Sequence, residues 1–358
     1  MARLNGLKDF VQREMFYIAV ILFDVFALGV LVFGPPGKET PGEREAVRRL
    51  AELDKLLSPS YLEWAARVRP HAVAALTALV GGFLFLTIVG LILLGRAGIG
   101  VARGKPALKQ QPLLDARWSA WDVLKIAAVY PFLVVGGYSV LAAFGPHRAL
   151  FHGAGLMAGL GVNYFAFAGT LFLLWRIVRV ERGQSLRELG YSLGEGLTDL
   201  GRVAGCYAAF CPLFLAASKG TQMVTRLFGI KTHIQDVVPV FVSEESWAAM
   251  AAMIILACLV APVVEETFFR GFLQPVLRRW VGTHGAIMGT AVVFALVHRN
   301  VSVFLPVLVL GVVLGYLYEK TQSTIASATL HALHNTVTTC FLLIIRQLPV
   351  AGPPHTIV

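Results

Sequence analysis

Long apolar stretches, separated by short polar ones, recur from one end of the chain to the other. The runs Met15–Phe33, His71–Leu94, Trp118–Phe144, Phe151–Val178 and Val203–Ala217 are followed by Ser246–Trp280, Ala286–His298, Ser302–Tyr318 and Thr324–Ile345. A helix of about twenty apolar residues crosses a hydrocarbon core of roughly 30 Å, and most of these runs are of that order. The pattern predicts an all-α, polytopic integral membrane protein of about nine transmembrane helices. Two stretches break the rhythm. Pro35–Pro70 is charged ("EREAVRRLAELDKLL") and reads as a partly helical extramembrane excursion. In "SLRELGYSLGEGLTDL", Leu186, Leu189, Leu193, Leu197 and Leu200 recur at steps of three or four, which predicts a helix lying in the headgroup plane.

The resulting organisation is an anchor helix over 1–33, a charged segment over 34–70, further membrane helices and the interfacial helix over 71–200, and a core over 201–350. The first run follows a basic start (Arg3, Lys8, Arg13), is too long for a signal-peptide core and leads into "GPPG", so it reads as a retained anchor. Asp24, in its middle, is expected to be hydrogen-bonded and turned towards other helices, because bare charge in hydrocarbon is expensive.

Composition removes the soluble alternative. Hydrophobic residues make up 56% of the chain and charged residues 15%, with a mean hydropathy of +0.69, which leaves too little charge to cover a soluble surface. The net charge of +10 does not point to nucleic acid, since no basic stripe is interleaved with aromatics. The basic residues cluster in short loops, around Arg103, Lys105 and Lys109, from Arg176 to Arg187, and at Arg278–Arg279. Basic loops mark the cytoplasmic side, which puts the N-terminus inside and the C-terminus outside. The four cysteines (Cys206, Cys211, Cys258, Cys340) lie in apolar runs without CxxC spacing and read as small core side chains. No internal repeat is visible.

Two Glu-Glu pairs then call for different explanations. Ser243-Glu244-Glu245 precedes the sixth long run, where a Ser and two carboxylates suit capping and the helix dipole. Glu265-Glu266 lies about twenty residues into the same apolar run. Glu266 and Arg270 are four apart and face each other on a helix, so an ion pair accounts for both. Glu265, rotated by about 100°, is left over. "FALVH" places Phe294 and His298 on one helix face, and "HALHN" does the same for His331 and Asn335, with His334 nearby. Glu265 and His298 both stand roughly 20 Å from the turn at Trp280–Gly285, and His331 and Asn335 roughly 10–17 Å beyond the turn at Thr321–Ser323. Three helices are thus expected to bring Glu265, His298, His331 and Asn335 to one level.

The segments "EETFFRG", "FALVH" and "GVVLGYLYEKTQSTIASATLHALHN" resemble the CPBP intramembrane proteases, which include the type II CAAX prenyl endopeptidases and the bacterial Abi-type proteins. The likeness spans roughly Trp247–Leu343, with the EExxxR, FxxxH and HxxxN motifs intact and in order. It implies a glutamate-dependent peptidase that uses no metal or other cofactor and acts on a membrane-associated peptide or protein. On matching positions, Glu265 would be the general base that activates water and His298 would help hold that water. His331 and Asn335 would stabilise the oxyanion, and Glu266 and Arg270 would keep the site in shape. Such a set suits peptide hydrolysis, which needs a base for water and donors aimed at the developing oxyanion.

Three other readings stand beside this one. A zinc peptidase could use the Glu and His residues, although HExxH is absent. A silent scaffold or bacteriocin self-immunity protein of the same family would keep the motifs without turnover. A proton-coupled transporter would also carry intramembrane carboxylates and histidines, but matched broken half-helices are missing.

Overall fold

The computed structural model describes residues 10–24 (except 12), 58–106, 108, 114–144, 154–191, 197–230 and 237–349. Among these residues the regular structure is helical, and seven helices are long and apolar enough to cross a membrane. The protein is a multi-pass integral membrane protein. The expected run Met15–Phe33 is described only as far as Asp24, and most of Pro35–Pro70 lies outside the described residues.

The chain divides into two units, Met1–Lys38 with Asp115–Glu188, and Glu39–Leu114 with Leu189–Val358. In the second unit α1 (Pro59–Val68) begins with Ser58 as N-cap and a proline in its first turn, and gives way to α2 (Pro70–Ala102), which starts on a second proline. In the first unit, α3 (Ala120–Phe144) and α4 (Ala154–Trp175, ending in a π-turn Arg176–Glu181) form an antiparallel pair. That pair buries a small charge cluster, in which Lys125 Nζ lies 2.9 Å from Glu14 Oε2 and Arg182 donates to Asp122.

The second unit continues with α5 (Leu197–Leu227), α6 (Val237–Ser243), α7 (Trp247–Val297), α8 (Val301–Thr321) and α9 (Thr324–Gln347). Helix α2 is apolar all round and buries only Ala72, Leu76 and Gly90, as expected of a lipid-facing span. At Gly90 a Cβ would collide with the Ala208 carbonyl of α5, so glycine is what lets these two helices cross closely.

The 51 residues of α7 are two limbs rather than one rod. Gly282 has φ 69°, a left-handed conformation that glycine adopts without strain, and it reverses the chain. A Cβ on Gly315 would meet both Gln274 and Ile287, residues that a straight helix would hold roughly 20 Å apart. The reversal falls inside the turn expected at Trp280–Gly285. Two further turns place the last helices. Arg299 (φ 51°) is followed by Asn300, whose Oδ1 caps Ser302 N at 2.9 Å, and Gln322 (φ 50°) by Ser323, whose Oγ caps Ala326 N at 3.2 Å.

Two local expectations are corrected. No helix spans the leucine stripe from Leu186 to Leu200. Leu186–Leu189 is a single 3-10 turn, Gly190 has φ 81°, and α5 starts at Leu197, while Leu193 lies outside the described residues. The reason is tertiary, because the backbone is bonded to the start of α9. Thr324 Oγ1 donates to Leu189 O, and Thr324 N donates to Gly190 O at 2.9 Å. The cap before the sixth long run is likewise not Ser243, which ends α6, but Ser246, whose Oγ accepts from Ala249 N at 3.3 Å. Glu244 contributes by accepting from Ser246 N at 2.7 Å, so this acidic pair remains an N-terminal device.

Candidate active site

The first limb of α7 is not a regular α-helix, and its prolines explain why. Pro262 has no N–H for the carbonyl four residues back, and Pro275 has the same effect one π-turn later. The helix loosens just ahead of each, at Leu256–Val260 and Thr267–Leu273. In the first π-turn Ala261 N donates to Leu256 O instead of Ala257 O. The freed Ala257 carbonyl accepts from Asn335 Nδ2 of α9 at 2.8 Å. A break in one helix thus becomes the anchor for a side chain from another.

Between the two π-turns stand the adjacent glutamates, in different surroundings. Glu266 is fully buried, and its Oε1 accepts from Arg270 Nη1 at 2.8 Å and lies 3.0 Å from His331 Nδ1. Glu265 keeps 27% of its side chain exposed, and its Oε2 lies 3.9 Å from His331 Nε2. His331 therefore bridges the pair, one nitrogen bonded to the buried carboxylate and the other turned to the accessible one. With Glu266 ionised, its acceptor oxygen puts the proton on Nδ1, which leaves Nε2 facing Glu265.

Phe294 gathers the remaining groups. Its ring is fully buried, with the Arg270 guanidinium over its face at 4.8 Å and the rings of His331 and His298 edge-on at 5.5 and 4.9 Å. His298, at the end of the second limb, has Nδ1 2.7 Å from Phe294 O, so in a neutral ring Nδ1 is the donor and Nε2 the acceptor. Glu265, Glu266, Arg270 and His331 thus form one connected group. Asn335 stands one turn further along α9, and His298 joins through Phe294. His334, expected nearby, points elsewhere, into an aromatic cage of Tyr207, Phe210 and Phe214 on α5 at 5.0–6.4 Å. Residues three apart on a helix diverge enough to reach different neighbours.

Of the supporting structure, only the Glu266–Arg270 pair was legible in the sequence. Glu266, Arg270, Gln274 and Arg278 form an i,i+4 file along the first limb of α7, facing α8 at a constant separation of 41 residues. Arg270 Nη2 donates to Gly311 O at 3.0 Å, Gln274 Nε2 to Gly315 O at 3.3 Å and to Glu319 Oε1 at 2.9 Å, and Arg278 Nη1 lies 2.9 Å from Glu319 Oε2. A constant offset means that the two segments run parallel and in register. Close approach is possible because Gly311 and Gly315 form a GxxxG stripe, where a Cβ would come within 2.9 Å of Ala291 Cα or 3.1 Å of Gln274 Oε1. GVVLG, together with the polar file, was the available signal. Among the described residues, no three His, Cys, Asp or Glu side chains converge as a metal-ligand set.

Residues 247–337 match the family model described as type II CAAX prenyl endopeptidase Rce1-like. The chain is also 24% identical over 188 residues to "Putative membrane peptidase YdiL" of Bacillus subtilis (strain 168), an alignment that covers 52% of this chain and 72% of that protein. No solved structure matches the chain. Residues 247–337 are therefore similar to the Rce1-like family, and at the level of the family the likeness is to membrane proteases. The matched span contains Glu265, Glu266, Arg270, His298, His331 and Asn335.

Proposed function

We propose that the protein is an intramembrane endopeptidase that hydrolyses a peptide bond of a membrane-associated protein or peptide, with water activated by Glu265. The observation that carries this reading is the division of labour between adjacent glutamates. Glu266 is spent on Arg270 and His331, whereas Glu265 is partly exposed and 3.9 Å from an imidazole nitrogen. A carboxylate held next to His331, and not neutralised by Arg270, is suited to take a proton from water.

In this mechanism Glu265 removes the proton as the water oxygen attacks the scissile carbonyl, and the developing oxyanion is met by N–H donors. Asn335 has a second amide proton beyond the one bonded to Ala257 O, and His331 in the doubly protonated form presents Nε2–H. His298 Nε2 would help to position the water. Glu266 and Arg270 hold His331 in orientation, and the proton taken by Glu265 passes to the leaving amine. The Rce1-like match and the relative described as a membrane peptidase support the reaction class.

The test compares wild type with Glu265→Gln in membranes, following by peptide proteomics which substrates accumulate and which are trimmed. The swap is nearly isosteric at a partly exposed position, so the variant is expected to fold and to lose cleavage. Trimming at the wild-type rate by Glu265→Gln would overturn the proposal.

A further inference from the structure

Away from the glutamate site, α2, α5 and α8 enclose an open groove of about 810 Å³. Its mouth is basic. Arg96, Lys105 and Lys320 line it and are exposed, and Arg202 joins them while ion-paired to Asp199 at 2.7 Å. No Asp or Glu is among the described lining residues. Within the described residues the side chains of Arg96 and Lys105 make no hydrogen bond or ion pair, and the Lys320 ammonium lies over the Tyr316 ring at 5.6 Å. Three of the cations sit at helix ends, and Arg96 lies six residues before the end of α2. Lys320 is next to last in α8, Lys105 lies three residues past α2, and Arg202 is in the second turn of α5.

Further in, the lining turns apolar, with Leu213 roughly 16 Å from Arg202 and Val313 roughly 10 Å from Lys320 along their helices. The floor carries Gly201 and Gly205. A Cβ at either would meet nothing within 4 Å, so protein packing does not require glycine there, in contrast to Gly90. What these glycines do provide is an open, flat trough.

A cationic mouth at helix-end level, leading into an apolar trough, has the polarity of a phospholipid. We propose that this groove binds one anionic phospholipid, with its headgroup phosphate on Arg96, Lys105 and Lys320 and an acyl chain along the Gly201–Gly205 floor. Phosphate suits clustered Lys and Arg as a point-charge and hydrogen-bonding partner. An acidic peptide would satisfy the same cations, but it would lay unpaired backbone groups against the apolar trough.

Native mass spectrometry of the full chain released from nanodiscs tests this, with phosphatidylglycerol against phosphatidylcholine as the probes. The variants are Arg96→Gln/Lys105→Gln/Lys320→Gln, which removes the charge, and Gly205→Leu, which fills the trough and leaves the charge. Wild type is expected to retain one phosphatidylglycerol in preference to phosphatidylcholine. The triple variant should lose about a hundredfold in that preference, at roughly fivefold per cation. Gly205→Leu should lose retention with all cations in place, which keeps the test decisive if the triple variant misfolds. Equal retention of the two lipids by wild type, or unchanged phosphatidylglycerol retention in Gly205→Leu, would overturn the proposal. So would displacement of the lipid by equimolar glycerol phosphate, the mark of a free-phosphate site, or by an acidic peptide.

Discussion

Replacing Arg270 by Met removes a guanidinium that is fully buried and holds three neighbours at once: Glu266 Oε1 at 2.8 Å, Gly311 O at 3.0 Å and the face of Phe294 at 4.8 Å. Among the described residues, the Glu266 carboxylate would then be buried with His331 Nδ1 as its one remaining partner. Breaking one side of a buried ion pair costs about 3–5 kcal/mol, and the lost bond to Gly311 adds about 1 kcal/mol. Arg270→Met is therefore expected to lower unfolding free energy by about 5 kcal/mol, read from equilibrium unfolding in mixed micelles. The double variant Glu266→Leu/Arg270→Met removes the stranded charge as well. It should lie only about 2–4 kcal/mol below wild type, the penalty for leaving His331 Nδ1 without an acceptor together with the lost bond to Gly311 O. Its activity should stay low all the same, because nothing then orients His331. A single variant within about 1 kcal/mol of wild type, or a double variant as unstable as the sum of its two singles, would refute the reasoning.

Further outcomes are expected elsewhere in the site. Asn335→Ala should reduce turnover by about 10²–10³-fold, the scale of a lost oxyanion donor, while stability falls by only about 1 kcal/mol, the bond to Ala257 O; turnover within a factor of about two of wild type would remove Asn335 from the oxyanion role. Gly311→Val brings a Cβ to 2.9 Å from Ala291 Cα and should cost about 1–3 kcal/mol in the same micelle assay. Pro262→Ala restores an N–H to the helix, so a regular turn is expected to re-pair Ala257 O with Ala261 and release Asn335. That variant should be at least as stable as wild type in the micelle assay and less active in the membrane proteomics. Incubation with 1,10-phenanthroline should leave hydrolysis unchanged, and loss of activity would favour a metal-dependent mechanism.

Much of the fold was legible because it depends on local composition. Long apolar runs in lipid must be helices, since hydrocarbon offers backbone groups no other partner. The runs His71–Leu94 and Thr324–Ile345 accordingly appear as α2 and α9 with only their ends shifted. The leucine stripe at Leu186–Leu200 misled because helical periodicity carries no information about a competing partner. Here Thr324 holds the backbone at Leu189 and Gly190, and Gly190 takes up the left-handed turn at no steric cost.

The candidate site divides the same way. Spacing alone paired Glu266 with Arg270 and left Glu265 over, because residues four apart on a helix must face each other. Counting from the turns alone also set Glu265, His298, His331 and Asn335 at similar depth. That Glu266 also holds His331, that Asn335 anchors on a carbonyl released by a π-turn, and that His334 faces an aromatic cage instead of the glutamates follow from which helix lies against which. The parallel register of α7 and α8 is of the same kind. It needs Gly311 to admit Ala291 and Gly315 to admit Gln274, and a contact between segments 41 residues apart exists only once the chain has reversed at Gly282 and again at Arg299.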